Sequence, residues 1–467
     1  MLFESPETTI AFWLAAGVLA FIGTMIHCIK SPKGTLGFPM AFMFALLIMH
    51  IGAVVHLFPG YFHQSNPFLA GIGYTRISVA KGMQVSMIGY LAMAVAIYLT
   101  SYFRQPYNLE FDRSHYPAQF LRIAERAMLI VGGGFFVAIL VAPWLTAVPS
   151  LGAVVFSSRS LLPVAICFAL LRRVWLGEGM PLWQIGLLTA AIPLANLLGN
   201  AILAESLATV IFISCFWLAI VGRRLGVSRA LLALALGSYA FLFLSINYLL
   251  VRGEFREIVW EPTSTLSERV DALGHALAQF TPLSSDDEDQ LFALDARLNQ
   301  SLFTGMAVEK LDYQPDTYEN GSTLLAGVFS FVPRIIWTTK PVRGGSEFLT
   351  KHTGYEASNE TTYGIGPFFE FYVNFGLLGV IIFSMMFAVL VRWIDLRCYR
   401  AMVIGRMTEA VPLAVGGLAL VQPLSTMSSV FSSFYASIII GFIIAKMLER
   451  YLDIRNFTEA QAKTAKI

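Results

Sequence analysis

The chain has 467 residues, of which 56% are hydrophobic and only 13% charged, with a mean hydropathy of +0.66 and a formal net charge of +2. A water-facing surface has about 25% charged residues, so a soluble globular domain is excluded; no nucleic-acid partner is expected, though the net charge itself says nothing of one until the signs are placed on sides of the membrane. The remaining solution is an all-α integral membrane protein, because helices satisfy their own backbone hydrogen bonds where water is absent.

Met1 to Thr8 carry two glutamates in place of a basic start and lead into a full-length apolar run. A cleavable signal peptide is therefore not expected, and the first span should be retained. Apolar runs long enough to cross the hydrocarbon core follow at 9–29, 37–58, 79–103, 127–147, 158–171, 181–198, 201–221, 228–251, 373–394, 408–425 and 429–449. These predict about eleven transmembrane helices. The fifth is short, and Val148 to Ser157 ahead of it is a candidate to dip into the membrane without crossing. Only Gly199 and Asn200 separate the sixth and seventh, which predicts a tight hairpin. The chain thus divides into 1–251 (eight spans), a loop over 252–372, three spans over 373–449, and a tail over 450–467.

Basic residues test this drawing. Alternate connections and the tail hold 20 of the 32 lysines and arginines, whereas the opposite short connections carry only Arg76, Lys81 and Arg159. The positive-inside rule then places the N-terminus outside, the C-terminus in the cytoplasm, and the large loop on the extracytoplasmic side. Cys28, Cys167, Cys215 and Cys398 lie in apolar stretches or beside basic clusters, as buried hydrophobes do, and indicate neither a disulfide framework nor a zinc site. Asn196, Asn200, Glu205 and Asn247 are polar residues within spans; a polar cavity and hydrogen bonds between helices both account for them.

The loop is too long for a simple connector. Thr265-x-x-Glu268 predicts a capping box opening an amphipathic helix with Leu266, Val270, Leu273, Leu277 and Phe280 on its apolar face. Ser285-x-x-Glu288 predicts a second, bearing Leu291, Leu294, Leu298 and Leu302. The loop holds 9 basic and 18 acidic residues, yet residues 334–351 set Arg334, Lys340, Arg343 and Lys351 against Glu347 alone. Such a basic segment suits a pyrophosphate carried on a lipid, and attraction to anionic headgroups or pairing with the loop's own acids accounts for it equally. Glu347, Glu356, Glu360 and Glu370 follow, and a carboxylate at a cavity mouth can act as base toward a hydroxyl. His56, His63 and His352 stand alone, without metal-site spacing, and no Walker loop or dinucleotide fingerprint occurs. ATP-driven pumping is thereby disfavoured, and energy would come from an ion gradient or from the substrate.

From Phe331 to Pro341 the sequence reads Phe-Val-Pro-Arg-Ile-Ile-Trp-Thr-Thr-Lys-Pro, and about thirty residues on comes Phe-Phe-Glu-Phe-Tyr-Val-Asn-Phe-Gly. This pair, with Arg297-Leu-Asn-Gln and Tyr318-Glu-Asn-Gly upstream, resembles the signature of the Wzy-type oligosaccharide repeat-unit polymerases of bacterial O-antigens and exopolysaccharides. The resemblance covers about 297–380. It departs at Thr338, where the family often has proline after the tryptophan.

The resemblance implies a GT-C-like, metal-independent glycosyltransferase of the bacterial inner membrane that requires no cofactor. Its partners would be undecaprenyl-pyrophosphate-linked oligosaccharide, membrane lipids, a chain-length regulator and a flippase. On this reading Arg334, Lys340 and Arg343 hold the pyrophosphate, with Arg76, Arg159 and Arg297 as further candidates. Glu370 and then Glu360 are the candidate bases, while Tyr372, Asn374 and Trp337 shape the site or bind sugar. An O-antigen ligase-like enzyme and a flippase for the same lipid-linked sugars are the alternatives. The absence of a clear internal repeat and the polar mass on one side favour one-sided chemistry.

Overall fold

The computed structural model describes residues 5–31, 34–58, 61, 75–103, 118–141, 158, 160–201, 203–261, 263–314, 317–332, 337, 346–355 and 364–464. Among them the chain is helical, with no strand. A helix overlaps each of the eleven apolar runs, in order α1 (Pro6–Lys30), α2 (Phe38–Ile51, continued by a 3-10 turn Gly52–Leu57), α3 (Arg76–Phe103), α4 (Ala118–Val141), α5 (Leu161–Leu176), α6 (Leu182–Asn200), α7 (Ala204–Leu225), α8 (Val227–Trp260), α14 (Gly366–Val403), α15 (Met407–Ala419) and α16 (Met427–Thr464). Seven of these, α1, α2 with its turn, α3, α6, α8, α14 and α16, are long and apolar enough to cross a membrane. The chain thus has the make-up of a multi-pass all-α membrane protein.

Exposure supports this. Leu232, Leu236, Tyr239, Leu244 and Leu250 run exposed along α8, and Leu378, Ile382, Met386 and Val389 along α14. Water would penalise such stripes, whereas lipid accepts them. The core runs the other way: α2 is buried along nearly its whole length and is packed by α1, α3, α7 and α14.

Between α8 and α14 the chain folds as α9 (Leu266–Ala278), α10 (Glu288–Leu298), α11 (Ser301–Tyr313), α12 (Ser322–Val328) and α13 (Ser346–Thr353). Both halves of the Thr265–Glu268 capping box form at α9. The second predicted helix differs in its limits. Asp287, not Ser285, caps it by accepting from Gln290 N, and it ends at Leu298, so Leu302 belongs to α11. The run Ser-Ser-Asp-Asp-Glu-Asp offered several caps, and the aspartate directly ahead of the first turn took the role. The loop does not float above the bundle: α11 packs along α3, where Gly82 faces the Ser301 carbonyl and Gly305 faces the Ser78 carbonyl. A side chain at either glycine would collide with the opposing backbone, which is why the helices approach so closely.

The predicted hairpin between the sixth and seventh runs turns at Ala201, in the left-handed conformation with φ 51°. The most informative irregularity lies inside α14. Phe375 (φ −144°, ψ 22°) and Gly376 (φ 62°, ψ −153°) break it, dividing 366–374 from 377–403 at the Asn-Phe-Gly motif.

Candidate functional site

A cavity of about 760 Å³ opens among α8, α10, α16 and the turn 420–426. One face of α8 supplies Ser245, Tyr248, Arg252 and Arg256, residues three and four apart that share one side of a helix. Arg297, the last basic residue of α10, completes a set of three guanidiniums. The charges of Arg297 and Arg256 both bear on Arg252. Arg256 is steadied by a 3.3 Å bond from its Nε to the Ala201 carbonyl and by the Trp260 ring at 5.0 Å. Arg252 and Arg256 pair with no carboxylate among the described residues, and no Asp or Glu lines the cavity there. Arg252 and Arg256, one turn apart and meeting no carboxylate among the described residues, make this part of the wall a site suited to an anion brought from outside.

The rest of the wall divides into two kinds. Phe136, Ile192, Leu203, Ile211 and Phe241 make an apolar side. A polar part comes from Ser429, Ser432, Ser433 and Ser437 of α16, with Gln422 and Ser425 of the turn before it. Asn196 also reaches the wall while its Nδ2 donates to Ser206 Oγ at 2.6 Å, so it both faces the cavity and joins α6 to α7.

α10 is held in register by a buried network. His56 Nε2 lies 3.1 Å from Asp295 Oδ1, Tyr61 Oη donates to Asp295 Oδ2 at 3.3 Å, and Asn299 Nδ2 donates to Asp295 Oδ1 at 2.7 Å. Gln300 N donates to the Met49 carbonyl at 2.8 Å, tying the end of α2 to the start of α11. His56, a lone histidine in the sequence, thus serves to fix the helix that carries Arg297.

The residues expected from sequence distribute unevenly. Arg297 lines the cavity. Arg76 does not; it bonds Glu7 at 3.0 Å. Trp337 packs on Phe329, beside the Phe331–Tyr435 contact, and also stands off the lining. Arg159, Arg334, Lys340, Arg343, Glu356, Glu360 and His63 lie outside the described residues, as does the stretch from Val148 to Ser157; the side chains of Asn200 and Glu205 are likewise not described.

Glu370, Tyr372 and Asn374 form a second centre, behind the cavity and not in its lining. The Glu370 carboxylate is 1% exposed, meets no cation among the described residues, and accepts from Met427 N at 2.7 Å, fixing the first turn of α16. Asn374 Oδ1 accepts from Gly321 N at 2.9 Å, while its Nδ2 donates to Thr323 Oγ1 and to the Glu370 carbonyl, both at 2.7 Å. Glu319 N donates to the Val373 carbonyl at 2.9 Å. The Glu319 carboxylate accepts from Ser322 Oγ at 2.7 Å and from Lys351 Nζ, and lies 3.0 Å from His352 Nε2. Burial pushes the Glu319 carboxyl up, but these hydrogen bonds outweigh it and hold the group below its usual range. Burial holds the His352 imidazole below its ordinary value, against the pull of Glu319. The Tyr318-Glu-Asn-Gly and Glu-Phe-Tyr-Val-Asn-Phe-Gly motifs, about fifty residues apart, are therefore one knot that clamps α13 to the break in α14.

Sequence reading missed Arg252, Arg256, Ser245, Gln300 and the α16 serines. The signal was present: Tyr248, Arg252 and Arg256 continue the helical repeat past Val251, and the serines recur at steps of three and four. Closing the span at Val251 hid the first. Comparison with known protein families, with curated proteins and with solved structures returns no match.

Proposed function

We propose that this chain is a Wzy-type polymerase that joins undecaprenyl-pyrophosphate-linked oligosaccharide repeat units at the outer face of the bacterial inner membrane. The observation that carries the reading is a cavity lined both by Arg252, Arg256 and Arg297 and by apolar residues such as Ile192, Leu203 and Phe241. That pairing suits an amphipathic anion such as a lipid pyrophosphate. The motif resemblance supports the same substrate. In this proposal all eleven runs cross the membrane in a GT-C-like arrangement, with the N-terminus and the large loop outside and the C-terminus in the cytoplasm.

In the reaction, a hydroxyl of the incoming lipid-linked unit attacks the anomeric carbon of the growing chain. The bond from that carbon to the pyrophosphate oxygen breaks, and undecaprenyl pyrophosphate departs with the electron pair. Preorganised guanidiniums stabilise the charge growing on the leaving group. The hydroxyl proton passes to a carboxylate. Since the Glu370 carboxylate already binds Met427 N, Glu360 takes that role in this proposal and Glu370 is a positioning residue.

The test is a purified protein in liposomes supplied with the lipid-linked repeat unit of the source's own glycan. A ladder of longer lipid-linked products is expected from the wild type and its loss from Arg252→Ala and Arg297→Ala. An authentic substrate that yields no ladder overturns polymerisation, and transport of that substrate across the bilayer would then be measured.

A further inference from the structure

Among the described residues, two polar atoms in the cavity wall have no hydrogen-bond partner. Ser245 Oγ and Gln300 Oε1 are buried and unbonded, on residues 5% and 8% exposed that both line the cavity. A buried oxygen without a partner carries the cost of its lost hydration, so such groups are rare unless a ligand or water completes them. They belong to different elements: Ser245 sits on α8, seven residues and therefore about 10 Å along the helix from Arg252, while Gln300 lies between α10 and α11, three residues after Arg297. Ser429, Ser432 and Ser433 of α16 line the same cavity. This part of the wall offers hydrogen bonds without charge. A polyprenyl chain needs none of them, and a pyrophosphate would seek the cations above. The matching chemistry is that of a neutral ring bearing several hydroxyls.

We infer that the cavity binds the sugar ring attached to the pyrophosphate, with Gln300 and Ser245 as its specificity-determining hydrogen-bonding residues and the α16 serines as further hydroxyls of the same wall. The inference rests on the polymerase reading for its ligand. The ring folds back beneath the three arginines in place of pointing into water, while the lipid tail takes the apolar side at Ile192, Leu203 and Phe241. A wall built to bond hydroxyls discriminates strongly against a ligand lacking them, because its own buried atoms are then left unpaired.

The test measures dissociation constants in lipid nanodiscs for two probes: bare undecaprenyl pyrophosphate, and the same lipid carrying the first sugar of the source's repeat unit. The wild type should bind the sugar-bearing probe roughly tenfold or more tightly than the bare one. Gln300→Leu and Ser245→Ala, singly and together, should shrink that preference toward unity while leaving affinity for the bare lipid within about twofold, which also certifies that the variants fold. Should Gln300→Leu not fold, Ser245→Ala with Ser433→Ala carries the test alone. Equal wild-type affinities, or a preference that survives both substitutions, overturns the inference. Failure of the polymerase reading looks different: Arg252→Ala would leave bare-lipid binding untouched, or a sugar preference would appear without any product ladder.

Discussion

A polar cluster holding arginine stands near each end of α2, one arginine at the first and two at the far end, and the two clusters have opposite characters. At its first turn Arg392 is fully buried, with Nη1 on Asp395 Oδ2 at 2.5 Å and Nε on Ser101 Oγ at 2.8 Å. Asp395 in turn accepts from Thr35 Oγ1 and Leu36 N, both at 2.8 Å, and from Phe38 N at 3.4 Å, so it also answers the positive end of the helix. At the far end, Arg252 and Arg256 have a cavity beside them and no carboxylate among the described residues. One cluster joins α2, α3 and α14 and leaves no room for a ligand; the other keeps space and spends little of its charge on the protein. An arginine near the membrane thus signals architecture when its acid is on the chain, and binding when the acid must be supplied.

Breaking each cluster should therefore give contrasting outcomes. The largest effect is expected for Asp395→Ala, which strands a buried guanidinium and should cost about 3–5 kcal/mol, read as a sharp fall in thermal stability in detergent. Arg252→Ala should do the reverse. It should lower affinity for a lipid pyrophosphate by roughly thirty- to hundredfold, while the melting temperature holds or rises as like-charge repulsion is relieved. A melting temperature that fell as far as for Asp395→Ala would erase the contrast.

The knot behind the cavity tests a middle case. Glu370→Leu removes the acceptor for Met427 N and should destabilise by about 1–3 kcal/mol, whereas Glu370→Gln keeps an acceptor oxygen and should remain near wild-type stability and activity. A product ladder abolished by Glu370→Gln in a normally stable protein would return Glu370 to the reacting centre. Gly376→Ala puts a side chain on a φ of 62° and should cost about 1–2 kcal/mol, visible as a lower melting temperature. The smallest effect is on pH. His352 and Glu319 both have depressed folded-state pKa values, so their stabilisation is present above the ordinary values of 6.5 and 4.5 and is lost as pH falls, first from His352 and then from Glu319. Between pH 7.5 and 5.5 the melting temperature should drop by about a degree or two, and His352→Gln should flatten that slope.

Most local signals read truly from sequence, the cap at Ser285 being the exception, and distant ones did not. The Thr265–Glu268 capping box needs only four residues to form, and it formed. The apolar runs likewise coincide with helices because each is decided within its own length. Arg297 was chosen from its motif and does line the cavity. What escaped depends on partners far along the chain. Glu370 was chosen as a candidate base at a cavity mouth, and its hydrogen bond from Met427 N, fifty-seven residues on, left no signal in the sequence. Arg252 and Arg256 looked like loop charges until α8 was seen to run on to Trp260. Ser245 carries no pattern, and Gln300 ended the Arg297-Leu-Asn-Gln motif without being singled out; their place in the cavity wall is what distinguishes them.

The length of α8 has one more consequence. Between Arg229 and Arg252 lie twenty-two residues without a charge, about 33 Å of helix, close to the roughly 30 Å hydrocarbon thickness of a bilayer. The helix is therefore a gauge whose two basic ends mark the height at which the guanidiniums stand. In a thinner membrane they would ride above the headgroups, and in a thicker one α8 could not tilt to help without drawing them toward hydrocarbon. Binding of an anion at these guanidiniums should accordingly be tuned by the acyl length of the surrounding lipids, with an optimum where the gauge and the bilayer agree.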